Sequence, residues 1–261
     1  MCLIVFALDC HPRYRLILGA NRDEYQDRPS EPAAFWADTP HMLAGRDKQA
    51  GGTWLGVTTN GKLAAITNYR DPRQQATYAR SRGQLVVDYL RDAAMTPAGF
   101  NNILTRDGAA YDGFNLLYGT SGELHYFTNR GGSSGPVKPG IHGLSNHLLD
   151  THWPKITIAR ARLEAIVQQE YPDPEEIFTM LADHQPFADE LLPDTGIGLE
   201  RERLLSPLFI SGSDYGTRCT TVLLIDRAGD VTFLERVFDR AQRAAPTQRF
   251  NFRIPAPFLT K

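Results

Sequence analysis

Directly behind Cys2 the chain runs through an unbroken apolar stretch, Leu3-Ile4-Val5-Phe6-Ala7-Leu8. A run of this length, closed by the turn formers His11-Pro12, predicts a buried strand over residues 2–8. Residues 15–20 repeat the pattern and complete an opening hairpin, after which Asn21-Arg22-Asp23-Glu24 is expected to leave the sheet. Residues 26–39 are rich in Pro, Asp and Ser around Phe35 and Trp36, the composition of a surface loop packed by its own aromatics. Residues 54–58 and 63–68 flank Asn60-Gly61, a strong hairpin signal. Residues 114–118 and 124–128 form another hairpin, and residues 220–225 and 231–237 pair around Arg227-Ala228-Gly229-Asp230.

Helical spacing begins in the middle of the chain. Residues 81–94 place Leu85, Val86, Tyr89 and Leu90 on one face. Thr96-Pro97 opens a second helix, with proline at a favoured first-turn position. Residues 153–170 make the longest helix and residues 174–182 a further one, while 131–136 and 186–198 read as loops. Strands frame the chain and helices fill its centre, with no repeat or linker. The expected fold class is α+β, one domain over residues 1–261 with two sheets and helical outer layers.

Composition narrows the function classes. Hydrophobic content of 42% suits a compact soluble protein, and a net charge of −2 offers no footprint for nucleic acid. No apolar stretch approaches the roughly 20 residues of a membrane span. The opening run lacks a basic flank and is too short for a signal peptide. Cys2, Cys10 and Cys219 form neither a metal spacing nor an even disulfide framework, which implies a reducing compartment and a cytoplasmic location. His142, His147 and His152 recur every five residues without a metal-ligand pattern and suit polar loop positions. No metal and no cofactor is called for.

The chemistry concentrates at the start of the chain. Removal of Met1 would leave Cys2 carrying both a thiol and a free α-amine, with ordinary pKa values of about 8.5 and 7.7–8.0. One residue then supplies a nucleophile and its base. The bland alternative is a small apolar residue at the edge of a core. The end of the second strand faces the start of the first, so Asp23 can orient the amine. Arg22 can lower the thiol pKa or hold a substrate carboxylate, with Asn21 as a further substrate-binding candidate, unless the group is a surface salt-bridge cluster. Asn68 and Asn146 end apolar stretches and are candidates to donate to an oxyanion, although asparagine there often only makes a turn. Arg218 adds a cation at the start of a late strand; Cys10 and Cys219 read as structural thiols.

Several of these segments together resemble one family. Met1-Cys2-Leu3-Ile4-Val5-Phe6, Gly19-Ala20-Asn21-Arg22-Asp23-Glu24, Gly51-Gly52-Thr53-Trp54, Ile66-Thr67-Asn68-Tyr69-Arg70, Gly143-Leu144-Ser145-Asn146 and Gly216-Thr217-Arg218-Cys219-Thr220-Thr221 are similar to the NRDE family, also called transport and Golgi organisation protein 2-like. That family resembles N-terminal-nucleophile hydrolases of the choloylglycine hydrolase and penicillin V acylase type. The resemblance implies a four-layer αββα sandwich with Cys2 as nucleophile, Asp23 at its amine, Asn68 and Asn146 at the oxyanion site and Arg218 as a late active-site arginine. Those hydrolases carry an arginine where this chain has Ala20-Asn21; Arg22 is a neighbour, and strand alternation sends it to a different face.

The leading expectation is a cysteine amidohydrolase or acyl-transfer enzyme acting on a C–N or thioester bond of a small acyl or amide substrate. The alternative is a carrier or chaperone for haem or an acyl ligand, with Cys2 or a histidine as axial ligand, which rests on the family's links to haem trafficking and lipid metabolism. A scaffold that has lost its chemistry is a third reading.

Overall fold

The strand at the start of the chain is apolar on both faces because it lies between two layers. In the computed structural model, which describes residues 2–72, 78 and 80–258, β1 (Cys2–Leu8) directs Ile4, Phe6 and Leu8 into one core and Leu3, Val5 and Ala7 into another. A strand covered on both sides loses the polar half of its alternation, which is why it reads as a continuous run. Met1 lies outside the described residues.

Two antiparallel sheets face each other across the first core. The six-stranded sheet runs β10 (Gly140–Leu144), β1, β2 (Tyr14–Tyr25), β11 (Tyr215–Asp226), β12 (Asp230–Val237) and β13 (Gln248–Arg253). The seven-stranded sheet runs β3 (Ser30–Trp36), β4 (Thr39–Asp47), β5 (Leu55–Thr58), β6 (Lys62–Asn68), β7 (Phe114–Thr120), β8 (Glu123–Thr128) and β9 (Gly135–Pro136). Ile4, Phe6, Leu16 and Leu18 from one sheet meet Leu43, Val57, Leu63 and Leu117 from the other. On the outer face of the first sheet lie α3 (Pro154–Val167) and α4 (Pro174–Leu181), through Ile156, Leu163, Ile177 and Leu181. On the outer face of the second lie α1 (Gly83–Arg91) and α2 (Pro97–Asp107), through Leu85, Tyr89, Phe100 and Leu104. A short α5 (Leu199–Leu204) precedes β11. The layers are helix, sheet, sheet, helix. No helix among the described residues is long and apolar enough to cross a membrane.

The predicted hairpins form, and Gly61 takes a φ of +83° at the Asn60-Gly61 turn, a value that favours glycine. Two expectations are corrected. Residues 26–39 are not a loop: Ser30–Trp36 is the edge strand β3, paired with β4. An edge strand has one neighbour, so Pro32 costs it no ladder bond on the open side. Trp36 is buried, donates through Nε1 to the Ala44 carbonyl and carries the Arg46 guanidinium 4.2 Å from its ring centre. Nor does Asn21-Arg22-Asp23-Glu24 leave the sheet: β2 continues to Tyr25, held on its second side by β11. Strands β4, β9, β10 and β13 and helix α5 are additions to the predicted elements, β9 lying at the end of the expected 131–136 loop.

A titrating pair secures the edge strand β10. His142 Nδ1 lies 2.7 Å from Asp150 Oδ2, and Asp150 Oδ1 accepts the Gly143 N–H at 2.8 Å, with Arg160 at 3.6 Å. Burial disfavours the imidazolium, but the hydrogen bonds to Asp150 and to the Lys138 carbonyl, together with the Asp150 charge, outweigh it and the His142 pKa is raised. Burial also opposes the Asp150 charge, yet hydrogen bonds from His142 and Gly143 hold that carboxyl below its ordinary value. The raised histidine stabilises the fold below its unfolded pKa and loses that contribution as pH rises through the folded one. The depressed aspartate stabilises above its unfolded pKa and loses that as pH falls. The pair therefore contributes most between about pH 4 and 6.5. His142→Ala should cost about 1 kcal/mol near pH 5.5 and distinctly less above about pH 8, measured by urea unfolding. An equal loss at both pH values would contradict this account.

Candidate active site

Strand register assembles the site. Cys2 is the first member of the even-numbered series of β1 that faces between the sheets, and it pairs directly with Arg22 of β2. Arg22 pairs in turn with Cys219 of β11, and Asp23 with Thr217. The register shifts between Thr217 and Cys219, so Arg218 is the extra residue of a bulge. Cys2, Arg22 and Cys219 thus form a row across the inner face at one end of the sheet.

That end opens into a cavity of about 260 Å³. The first sheet contributes Cys2, Arg22, Asp23, Arg218 and Glu235 to its walls; the second contributes Arg46, Asp47, Ile66 and Asn68, with Arg28 and Trp54 from the connecting segments. Ser81, Arg82 and Gly83, where α1 begins, close one side. The helix start can stand there because a Cβ at Gly52 would come 2.7 Å from the Gly83 main chain. Backbone meets backbone at that contact.

Burial dominates the electrostatics. It pushes the Cys2 thiol up to about 11, against the pull of the Arg22 charge and of a hydrogen bond from the Asp23 main-chain N–H. Burial likewise raises the Asp23 pKa, opposed by the Lys155 charge and by the Thr217 hydroxyl, which donates to Oδ1 at 2.7 Å. The Tyr215 hydroxyl donates to the Asp23 carbonyl at 2.8 Å. Lys155 of α3 is itself buried, donates to the Leu205 carbonyl at 2.6 Å and is brought down to about 8 by desolvation. Beside it, the buried Arg70 and Glu202 form an ion pair at 2.6 Å, with Arg70 over the Trp153 ring. Asp23 stands between the cavity it lines and this charged layer.

Three further segments are stitched together at the same end. Thr67 donates to the Ser145 carbonyl at 2.6 Å, and Asn146 Nδ2 donates to the Asn68 carbonyl at 3.0 Å. The Arg70 N–H closes back onto the Asn146 carbonyl at 2.7 Å, while the Ser145 hydroxyl lies 3.1 Å from the Cys2 carbonyl. Residues 145 and 146 thereby tie the ends of β1 and β6 to each other across the two sheets.

The predicted site residues divide accordingly. Cys2, Arg22, Asp23, Asn68 and Arg218 come together around one cavity. Arg22, expected on a different face, stands beside Cys2 because both belong to the inner series of their strands. Asn146 is fully buried behind Asn68 and does not line the cavity. Asn21 is turned away from it. Paired with Leu3, it lies on the helix-facing side, donates to the Leu181 and Leu208 carbonyls and accepts from Thr220, so it holds layers together rather than substrate. The histidines are placed elsewhere; His147 lies between Tyr69 and Trp153, and no histidine lines the cavity among the described residues. Sequence reasoning missed Arg28, Arg82, Glu235, Arg70 and Lys155. The signal for Lys155 was its place on the buried stripe of α3, in step with Ala159 and Leu163.

Fold and site together define a four-layer α+β protein with a cysteine, second in the chain, in the wall of a cleft between two sheets. The chain belongs to the Transport and Golgi organisation 2 family, whose model matches residues 1–240. It is 37% identical over 276 residues to the Transport and Golgi organization 2 homolog of Mus musculus, covering 97% of this chain and 99% of the other. It is 36% identical to the Homo sapiens homolog with the same coverage. Among solved structures, a Caenorhabditis elegans N-acylethanolamine-hydrolyzing acid amidase ortholog aligns with a TM-score of 0.48 and 11% identity, over 85% of this chain and 92% of that one. A mutant conjugated bile acid hydrolase from Clostridium perfringens aligns with a TM-score of 0.48 and 9% identity, over 97% and 98%.

The Arg70–Glu202 pair gives the charged layer a measurable weight. Glu202→Gln removes a carboxylate charge from beside a buried guanidinium and should cost about 3 kcal/mol in urea unfolding. A loss below about 1 kcal/mol, the range of exposed pairs, would contradict the burial of this layer.

Proposed function

We propose that this protein, once Met1 is removed, is an N-terminal cysteine amidohydrolase or acyl-transfer enzyme acting on a C–N or thioester bond. The observation that carries the reading is the position of Cys2: at the end of a strand locked between two layers, paired with Arg22, in a cavity that Asp23 also lines. With Met1 in place, a thiol at about 11 is ionised in only about one molecule in ten thousand at neutral pH. Removing Met1 brings the amine onto Cys2 itself, two bonds from the carbon that bears the sulfur. That amine takes the thiol proton, directly or through a water.

The thiolate then attacks the substrate carbonyl, and the Asn68 side-chain amide donates to the resulting oxyanion. Asn146 fixes the main chain of Asn68 and so positions this donor. Collapse of the adduct breaks the C–N bond; the nitrogen takes the proton from the α-ammonium and leaves, and the acyl group stays on sulfur as a thioester. Water, losing a proton to the amine, attacks the thioester and releases a carboxylic acid and the thiol. An amine in place of water gives acyl transfer. Asp23 holds the ammonium in place throughout. The cysteines are free thiols, which suits a cytoplasmic location. The carrier reading would rest on Cys2 alone, since no histidine lines the cavity among the described residues.

The test is to trap the acyl-enzyme. Met1-free protein is mixed with a panel of amides and thioesters, quenched in acid and weighed intact. The expected result is an acyl adduct on Cys2 that decays on standing and is absent from Cys2→Ala. Turnover of a panel member that survives in Cys2→Ala would overturn the mechanism.

A further inference from the structure

Five arginines and five carboxylates line the cleft, but the pairing between them at hydrogen-bond range is incomplete. Each acid in its wall is already committed. Asp47 takes the Arg28 guanidinium at 2.6 Å, Glu31 takes Lys48 at 2.7 Å, Asp23 accepts from Thr217, and Glu24 accepts the Tyr25 N–H at 3.0 Å with Arg28 at 3.7 Å. Glu235 accepts the Ala33 N–H at 2.6 Å and a hydrogen bond from the Cys219 thiol.

Two guanidinium groups have no carboxylate at hydrogen-bond distance among the described residues. The Arg22 side chain is nine-tenths buried and aimed into the cavity, and its nearest carboxylate, Glu24, stands at 3.8 Å, outside hydrogen-bond reach. No hydrogen bond from Arg22 to another described residue is present. The bulge brings in Arg218, whose Nη1 donates to the main-chain carbonyls of Tyr25 and Arg28 and whose buried Nε has no partner. Holding two like charges near each other, with Glu24 at 3.8 Å from Arg22 as the nearest counter-ion, costs stability that a bound anion offsets. On the opposite wall α1, nine residues long, begins at the cavity with no side-chain cap and no acidic residue in its first turn. Its positive end is therefore turned to the same space.

We propose that the cleft binds an oxyanion of the substrate, a carboxylate or a phosphate, between Arg22 and Arg218 on one wall and the first turn of α1 on the other. Because Cys2 and Arg22 are cross-strand partners about 5 Å apart, that oxyanion lies within a few bonds of the carbonyl attacked. A cavity of about 260 Å³ suits a short anionic amide or thioester segment. The anion subsite stands without the nucleophile; its assignment to a substrate rests on the hydrolase reading.

The experiment uses Met1-free protein and two alkylating agents of similar size, anionic iodoacetate and neutral iodoacetamide, with peptide masses read at Cys2 and at the exposed Cys10 as internal reference. The iodoacetate-to-iodoacetamide rate ratio should be about tenfold higher at Cys2 than at Cys10, as expected for one charge-assisted hydrogen bond. Arg22→Gln and Arg218→Gln should each bring the ratio down towards that of Cys10. Inorganic phosphate and acetate are compared as competitors, and the one that slows Cys2 labelling at lower concentration identifies the oxyanion. Arg22→Gln should melt no lower than wild type, because Arg22 makes no carboxylate hydrogen bond to lose and Glu24 keeps Arg28 at 3.7 Å. Equal ratios at both cysteines with neither competitor effective would overturn the subsite. So would an Arg22→Gln protein that melts lower and keeps its preference for iodoacetate. A preference for iodoacetate in a protein that forms no acyl-enzyme would keep the subsite and remove the hydrolase reading.

Discussion

Everything at this site depends on burying the first strand from both sides. A chain end ordinarily frays. Here Leu3, Val5 and Ala7 are packed under helices while Ile4, Phe6 and Leu8 are packed against the other sheet, so the residue at the head of the strand inherits a fixed position. Each fully buried aliphatic side chain contributes about 1.5–3 kcal/mol, and a continuous buried run leaves the terminus little freedom. Cys2 is rigid because residues 3–8 are anchored on both faces, and the hydrogen bond from Ser145 to its carbonyl adds a tie from the neighbouring strand's end.

The same rigidity concentrates charge where water cannot easily solvate it. Asp23, Lys155, Arg70, Glu202 and Glu235 are all buried or nearly so around one end of the sandwich. A protein selected for stability alone would replace such groups with apolar ones. Their arrangement has an order: Arg70 and Glu202 neutralise each other, Lys155 supports Asp23, and Arg22 with Arg218 is left facing the cavity. The outer groups set the field in which the inner ones work. The cost of that field is met by the four-layer core.

Much of this was legible in the sequence, for identifiable reasons. The opening strand, the Asn60-Gly61 hairpin and the apolar helix faces are local patterns, and local patterns persist when tertiary contacts agree with them. Cys2, Arg22 and Asp23 could be brought together by the hairpin alone. The edge strand β3 was not legible, because a strand with one partner tolerates the proline and serine that signal a loop. Asn21 was misplaced because its strand was expected to stop there. Once β2 is known to continue to Tyr25, its period of two sends Asn21 to the helices and Arg22 to the cleft. The bulge at Arg218 and the approach of Lys155 to Asp23 depend on contacts between distant segments, and no local pattern encodes them.

The most direct measurement is the pH dependence of Cys2 alkylation in two forms of the protein, one with Met1 removed and one with it retained. If the α-amine of Cys2 serves as base, the Met1-free protein should show a thiolate titrating about two units below the value near 11 of the Met1-bearing form. Two superimposed profiles, both rising only near 11, would show that the amine does not activate the thiol and would contradict the central claim.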